Sequence, residues 1–344
     1  QRSFEQVARG LYGALVVEES HPPPVDRDVV WMLGDWRLLP DASIAGDFGN
    51  RMETGMAGRI GNTVTVNGRV PDTFAVRAGE RLRLRLINAA TARIFALEFR
   101  EHRPTVIALD GQPVVPHAPE SGRIVLGPAQ RADLVLDLTG VPGARSAVVD
   151  SFYQGLEYRL LDLAYGPERL RDRPPGELLA LPPNTMPEPD LATAERHEIT
   201  LGGGMMSGMM GAGAAAGGMA GMAGMMRGMT RGGGMGMAWT VNGVAATGHD
   251  MAPMLELARG RSYVLVLSNE TAWWHPIHLH GHAFRVLARN DTPTPYREWR
   301  DTVLLRPQER VEIAFVADNP GQWMIHCHVL DHQNGGMMAV IAVA

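Results

Sequence analysis

The sequence predicts an all-β protein of two β-sandwiches in tandem. First, Arg81 to Leu86 alternate arginine with leucine, the period of a half-buried strand with one wet face, and Arg310-Val311-Glu312-Ile313 alternates likewise. Second, the chain repeats itself. Thr65-Val66-Asn67-Gly68 precedes RAGERLRLRLINAA (77–90), and Thr240-Val241-Asn242-Gly243 precedes ARGRSYVLVLSNET (258–271). LGPAQRADLVLDL (126–138) is matched by LRPQERVEIAFVA (305–317), so two separate anchors share nearly one offset, as duplicated domains would. Third, no segment sustains a 3.6-residue apolar period, while Asn67-Gly68, Asp110-Gly111 and Pro320-Gly321 punctuate both blocks as turns.

In chain order, residues 10–19 read as a turn followed by a closing strand. Pro22-Pro23-Pro24 follows as a stiff link. The first block spans 24–166, a Pro-rich linker 167–190, and the second block 191–344. Within the second block, 202–237 holds 15 Gly and 11 Met in 36 residues, a composition that cannot pack a core. It is either a disordered insertion or a thioether surface that gathers Cu(I), which soft sulfur selects.

The 344 residues carry a net charge of −5, and every basic residue is arginine, which argues against a general nucleic-acid binder. No apolar run approaches the roughly 18 residues of a membrane span. A single cysteine excludes a disulfide scaffold. That cysteine needs another reason to exist, and its neighbours supply one. Of 12 histidines, seven lie between Trp274 and His332, in HPIHLHGH (275–282) and around HCHVLDH (326–332), with Met337 beyond. Two imidazoles and a thiolate with a weak axial thioether suit a blue copper site. Strand alternation sorts the ligands into two sets. Cys327 points one way, to close around one copper with His275, His332 and Met337. His326 and His328 point the other way, towards His278 and His280.

These two motifs resemble the C-terminal copper motifs of the multicopper oxidases, a family that includes laccases and bacterial copper-efflux and copper-resistance oxidases. The repeat resembles that family's second and third domains, and residues 1–20 the end of its first. The resemblance implies tandem cupredoxin-like Greek-key β-sandwiches. It implies a type 1 copper on His275, Cys327 and His332 with Met337 axial, a type 2 copper on His278, and a binuclear type 3 pair on His280, His326 and His328. It implies one-electron oxidation of a phenolic substrate or Cu(I), with electrons passing through Cys327 to reduce dioxygen to water, in a periplasmic or secreted setting. Ala89–Phe99 lacks histidine where the motif would sit, so the first block is expected to be copper-free. Asp301 is placed near the type 1 copper, touching substrate, or is an ordinary strand-start residue. His282 is expected to be structural, and His102, His117, His197 and His249 to hold ordinary surface or turn roles.

Two departures stand out. The family draws four more cluster histidines from its first domain, so this chain is expected to need that missing domain as a partner and to be inactive alone. Where relatives carry an acid after the downstream histidine, this chain has Gln333-Asn334, with Asp331 as a substitute. The alternatives are a non-catalytic copper-binding or copper-tolerance protein and an electron-transfer module.

Overall fold

The computed structural model describes residues 2–173, 175–177, 180–205, 238–248 and 251–344. The Met/Gly tract from 206 to 237 and His249 lie outside them.

The chain divides into two units. In the first, one sheet runs in the order Thr63–Val66, Arg27–Trp36, Arg81–Asn88, Arg131–Asp137, Thr105–Leu109, Gln112–His117. The facing sheet runs Thr73–Ala78, Tyr158–Arg169, Arg145–Asp150, Phe95–Phe99, Ile124–Leu126. The second unit repeats the plan. Trp239–Val241, Glu195–Gly203, Ser262–Asn269, Arg310–Val316, Phe284–Arg289 and Thr292–Pro293 form one sheet. Leu255–Leu257, Met338–Val343, Gly321–Cys327, His275–Leu279 and Thr302–Leu305 form the other. Described helices are single short turns, as the missing helical period implied. The architecture is all-β and the strand orders of the two units correspond, so the duplication is structural.

Each Asn-Gly turn follows the short second strand of its unit and closes a bridge, Val66 to Arg69 in the first and Val241 to Val244 in the second. Asn67 and Gly68 take φ 52° and 75°, and Asn242 and Gly243 take 49° and 76°. Two consecutive left-handed residues are what a two-residue hairpin of this hand demands. Each asparagine also receives a backbone N–H from the neighbouring strand, from Met32 at 2.8 Å and Thr200 at 2.7 Å.

Three expectations change. The charged face of Arg81–Asn88 is not wet: Arg81 and Arg83 are buried beside the core leucines 82, 84 and 86. Carboxylates cover them instead, with Arg83 donating to Asp133 at 2.6 Å and Glu19 at 2.8 Å, and Arg81 to Asp137 at 2.6 Å. Charge can be buried when every donor has an ionised partner. Residues 10–19 form no strand. A helix, Ser3–Ala8, is capped by Arg9, and beyond it Leu15 stands 91% exposed. The strand pattern is present, but no described strand offers it a ladder partner. Finally, the split at Met186/Pro187 falls inside the Pro-rich linker, yet Gly46–Arg59 belongs to the second unit and Glu298–Arg300 to the first.

Candidate metal centre

The site stands on adjacent strands of the second unit. His275–Leu279 pairs with Gly321–Cys327, setting Ile277 opposite Cys327 and His278 opposite His326. It pairs on its other side with Thr302–Leu305, setting His278 opposite Thr302. Gly281, at φ 74°, turns the chain out of the HxH pair; a Cβ there would lie 2.3 Å from the Trp323 ring, so only glycine fits.

On one face three donor atoms converge. Cys327 Sγ lies 3.5 Å from His275 Nδ1 and 3.6 Å from His332 Nδ1, and the two Nδ1 atoms are 3.1 Å apart. Among the described residues this is the only trio of His, Cys or acidic donors mutually within 4.8 Å. His332 comes from the Leu330–Asn334 helical turn that follows the strand. Met337 is fully buried, and its backbone bonds both Cys327 and His332.

The remote nitrogens fix the tautomers. Thr271 Oγ1 donates to Asn269 Oδ1 at 2.8 Å, so its oxygen is free to accept from His275 Nε2 at 2.7 Å. His332 Nε2 donates to the Met56 carbonyl at 2.7 Å. Each Nδ1 is thereby left unprotonated. Two lone pairs and a thiol face one another in a dry pocket; the S–H can donate to one Nδ1 at a time, whereas a cation replacing that proton satisfies all three donors. Burial drives His332 down to about 3 and His275 well below the ordinary imidazole range, and pushes the Cys327 thiol up. The set is soft, neutral and preorganised, and it fits copper.

The opposite face carries four imidazoles. His278, His280, His326 and His328 have neighbouring ring centroids 4.8–6.0 Å apart. His280 Nε2 and His326 Nε2 meet at 3.0 Å, and His326 Nδ1 donates to the Cys327 carbonyl at 2.9 Å. His278 Nδ1 donates to the Asp301 carbonyl at 2.9 Å, leaving Nε2 free. His328 Nδ1 is buried without a hydrogen-bond partner. Burial, then repulsion between the rings, lowers His326 to about 3 and His328 to about 4. This arrangement also fits metal, more openly than the first.

Asp301 does not sit at the thiolate set. Its carboxylate takes the Thr302 hydroxyl at 2.8 Å and lies 3.6 Å from His278 Nδ1. The register explains this: Leu305 lies opposite His275 and Thr302 opposite His278, so Asp301 falls at the four-imidazole end. Asp331, the substitute acid, accepts the Arg59 N–H at 2.8 Å. His282 packs on Phe315 and Trp323, His102 bonds Tyr165 Oη at 2.6 Å, and His117 bonds the Val115 carbonyl. His197 stacks on Tyr263. Sequence reasoning missed Thr271, Met56 and Trp239, whose ring lies 4.2 Å from that of His332.

Two family models described as multicopper oxidase match the chain, over residues 27–153 and 225–344. A solved multi-copper oxidase from Pseudomonas parafulva is 30% identical, with TM-score 0.80, covering 99% of this chain and 74% of its own. The chain belongs to the multicopper oxidase family. Among curated relatives, multicopper oxidase MmcO of Mycobacterium tuberculosis is 29% identical, over 79% of this chain and 49% of its own length. A laccase of Haloferax volcanii is 27% identical, over 93% and 53%. The chain thus spans about half the length of the curated relatives it matches. Multicopper oxidases as a family are copper-dependent oxidoreductases. No described helix is long and apolar enough to cross a membrane.

Proposed function

We propose that this chain supplies the type 1 copper ligands and four trinuclear-cluster ligands of a laccase-like oxidase acting on phenols or Cu(I), in the periplasm or outside the cell. The observation that carries this is the meeting of Cys327 Sγ with the Nδ1 atoms of His275 and His332 in a fully buried pocket. His275, Cys327, His332 and Met337 would hold the type 1 ion, His278 the type 2 ion, and His280, His326 and His328 the type 3 pair. Copper, when bound, would supply reversible one-electron chemistry and, at the cluster, reduction of dioxygen to two waters. The protein's part is to keep the imidazoles neutral, exclude water from the thiolate, and orient each ring through its remote nitrogen. Cys327 joins the two sets directly, because His326 and His328 are its chain neighbours. Asp301 orients His278.

Copper affinity follows ligand number and preorganisation. The thiolate set is complete within one unit, whereas four imidazoles make an open set. The purified chain should bind one tight copper, turn blue, be reduced and reoxidised, and show no catalytic oxygen uptake with a phenol. Copper titration and an oxygen electrode test this. A colourless copper complex overturns the type 1 assignment; sustained oxygen uptake overturns the need for further ligands.

A further inference from the structure

Residues 46–59 lie far in sequence from every candidate ligand, yet they fold into the second unit over its thiolate set. Backbone groups tie them down. The Met56 carbonyl accepts from His332 Nε2 at 2.7 Å and the Thr54 carbonyl from the Trp239 indole at 2.6 Å. The Gly55 carbonyl accepts from Met205 N–H at 2.7 Å, and Arg59 N–H donates to Asp331 at 2.8 Å. The Arg51–Thr54 turn at the centre is capped by Asn50, whose side chain accepts the Met52 N–H at 3.0 Å. His275, Cys327, His332, Met337 and Trp239 are each 0% exposed, whereas Met52 is 60% exposed. A donor molecule therefore cannot touch a ligand of this set. Above His332 it meets the 46–59 segment.

We propose that residues 46–59 are a fixed cap that selects which electron donors reach the thiolate set, with the Met56 carbonyl as the positioning group for His332. The inference deepens the copper reading and rests on it. The cap favours small donors that deliver an electron across one layer of protein. It disfavours bulky phenols that need ring contact with the His332 edge. In either case the donor gives one electron to bound cupric ion, and a phenol also gives one proton to solvent.

The first test uses metal-free chain. Diethyl pyrocarbonate modification at His332 is followed by mass spectrometry, with exposed His21 as the internal reference. His332 should react at least about tenfold more slowly than His21. Replacing residues 50–54 by Gly-Gly should remove most of that protection, and Asn50→Ala, which leaves every cap contact but its own in place, should remove part of it. Reaction of His332 as fast as His21 in the parent, or protection unchanged in both variants, overturns the cap. The second test follows anaerobic bleaching of the copper-loaded chain by ferrocyanide and by 2,6-dimethoxyphenol. Loosening the cap should speed the phenol about tenfold and ferrocyanide far less. Equal effects on both donors overturn selection. A chain that takes no blue copper would defeat the copper reading, while His332 modification would still decide the cap.

Discussion

Two acceptors that are not ligands decide which nitrogen of each imidazole is free. Thr271 takes the Nε2–H of His275 because Asn269 has already claimed the hydroxyl proton. Thr271→Val keeps the shape and removes the acceptor. The stranded N–H should cost about 1–3 kcal/mol, and copper affinity should fall about 10–100-fold. Chelator competition and thermal unfolding of metal-free chain measure the two separately; lost stability with unchanged affinity would make Thr271 a packing residue only. Cys327→Ser tests the centre itself. The side chain is fully buried and serine is close in size, so circular dichroism should be unchanged while the intense blue absorption disappears. A serine variant that stays blue would refute thiolate ligation. Cys327, its flanking histidines and the HxH pair were legible in sequence because strand alternation alone sorts them. Thr271 and Met56 were not, because a hydroxyl and a backbone carbonyl leave no spacing signal.

The two alternating strands look alike in sequence and differ in burial. Arg83 is closed over by Asp133 and Glu19, whereas the Arg310 side chain remains 32% exposed beside Asp291 and Glu312. Arg83→Met would leave the mostly buried Asp133 with Arg85 alone and deprive the part-exposed Glu19 of the guanidinium it accepts from, and should cost about 3 kcal/mol. Arg310→Met removes screened pairs and should cost less than about 1 kcal/mol. Urea unfolding of both variants checks this, and equal losses would mean that the Arg83 ladder is no more than a surface pair. Periodicity gives the strand but not its partners, which is why the buried ladder was read as a wet face. The same limit hid the fate of residues 10–19, where a strand pattern meets no described strand. It also misplaced Asp301, whose position depends on register with His278. The Asn-Gly turns were legible because a two-residue loop with both residues left-handed admits few sequences. The Met/Gly tract bears on element boundaries too. Gly202 and Gly203 end a strand and Met205 is held by Gly55 and Trp273, so a deletion that tests the tract should begin at 206. Removing 206–237 should spare phenol-driven reduction of the copper-loaded chain and weaken reduction by Cu(I). Unchanged Cu(I) kinetics would make the tract a passive insertion.

At the scale of the molecule, one sandwich plan appears twice, and among the described residues the thiol and the clustered imidazoles lie only in the second copy. The equivalent of the His275 strand in the first unit, Phe95–Phe99, fills its inward positions with core side chains. Concentrating buried imidazoles in one unit ties that unit's stability to pH. His326 and His332 are held near 3 and His328 near 4, each chiefly by burial. In the unfolded chain these rings titrate near about 6.5. Between those limits the unfolded state binds protons that the folded state refuses, so stability is present above about pH 6.5 and is lost as pH falls towards 4. The buried carboxylates Asp35, Asp133 and Asp150, raised by desolvation, act in the opposite sense, because protonation relieves them. The imidazole share is therefore the difference between the parent and His326→Leu, whose unfolding midpoint should depend less on pH. Copper adds a second signature. The imidazoles are already neutral at pH 7 and release nothing when they coordinate, whereas the Cys327 thiol, pushed up by burial, must give up its proton. Loading the thiolate set at pH 7 should release about one proton per copper, and Cys327→Ser should abolish that release. A pH-stat titration reads this directly. Release of two or more protons per ion would mean that the imidazoles enter protonated, and that burial does not hold them neutral.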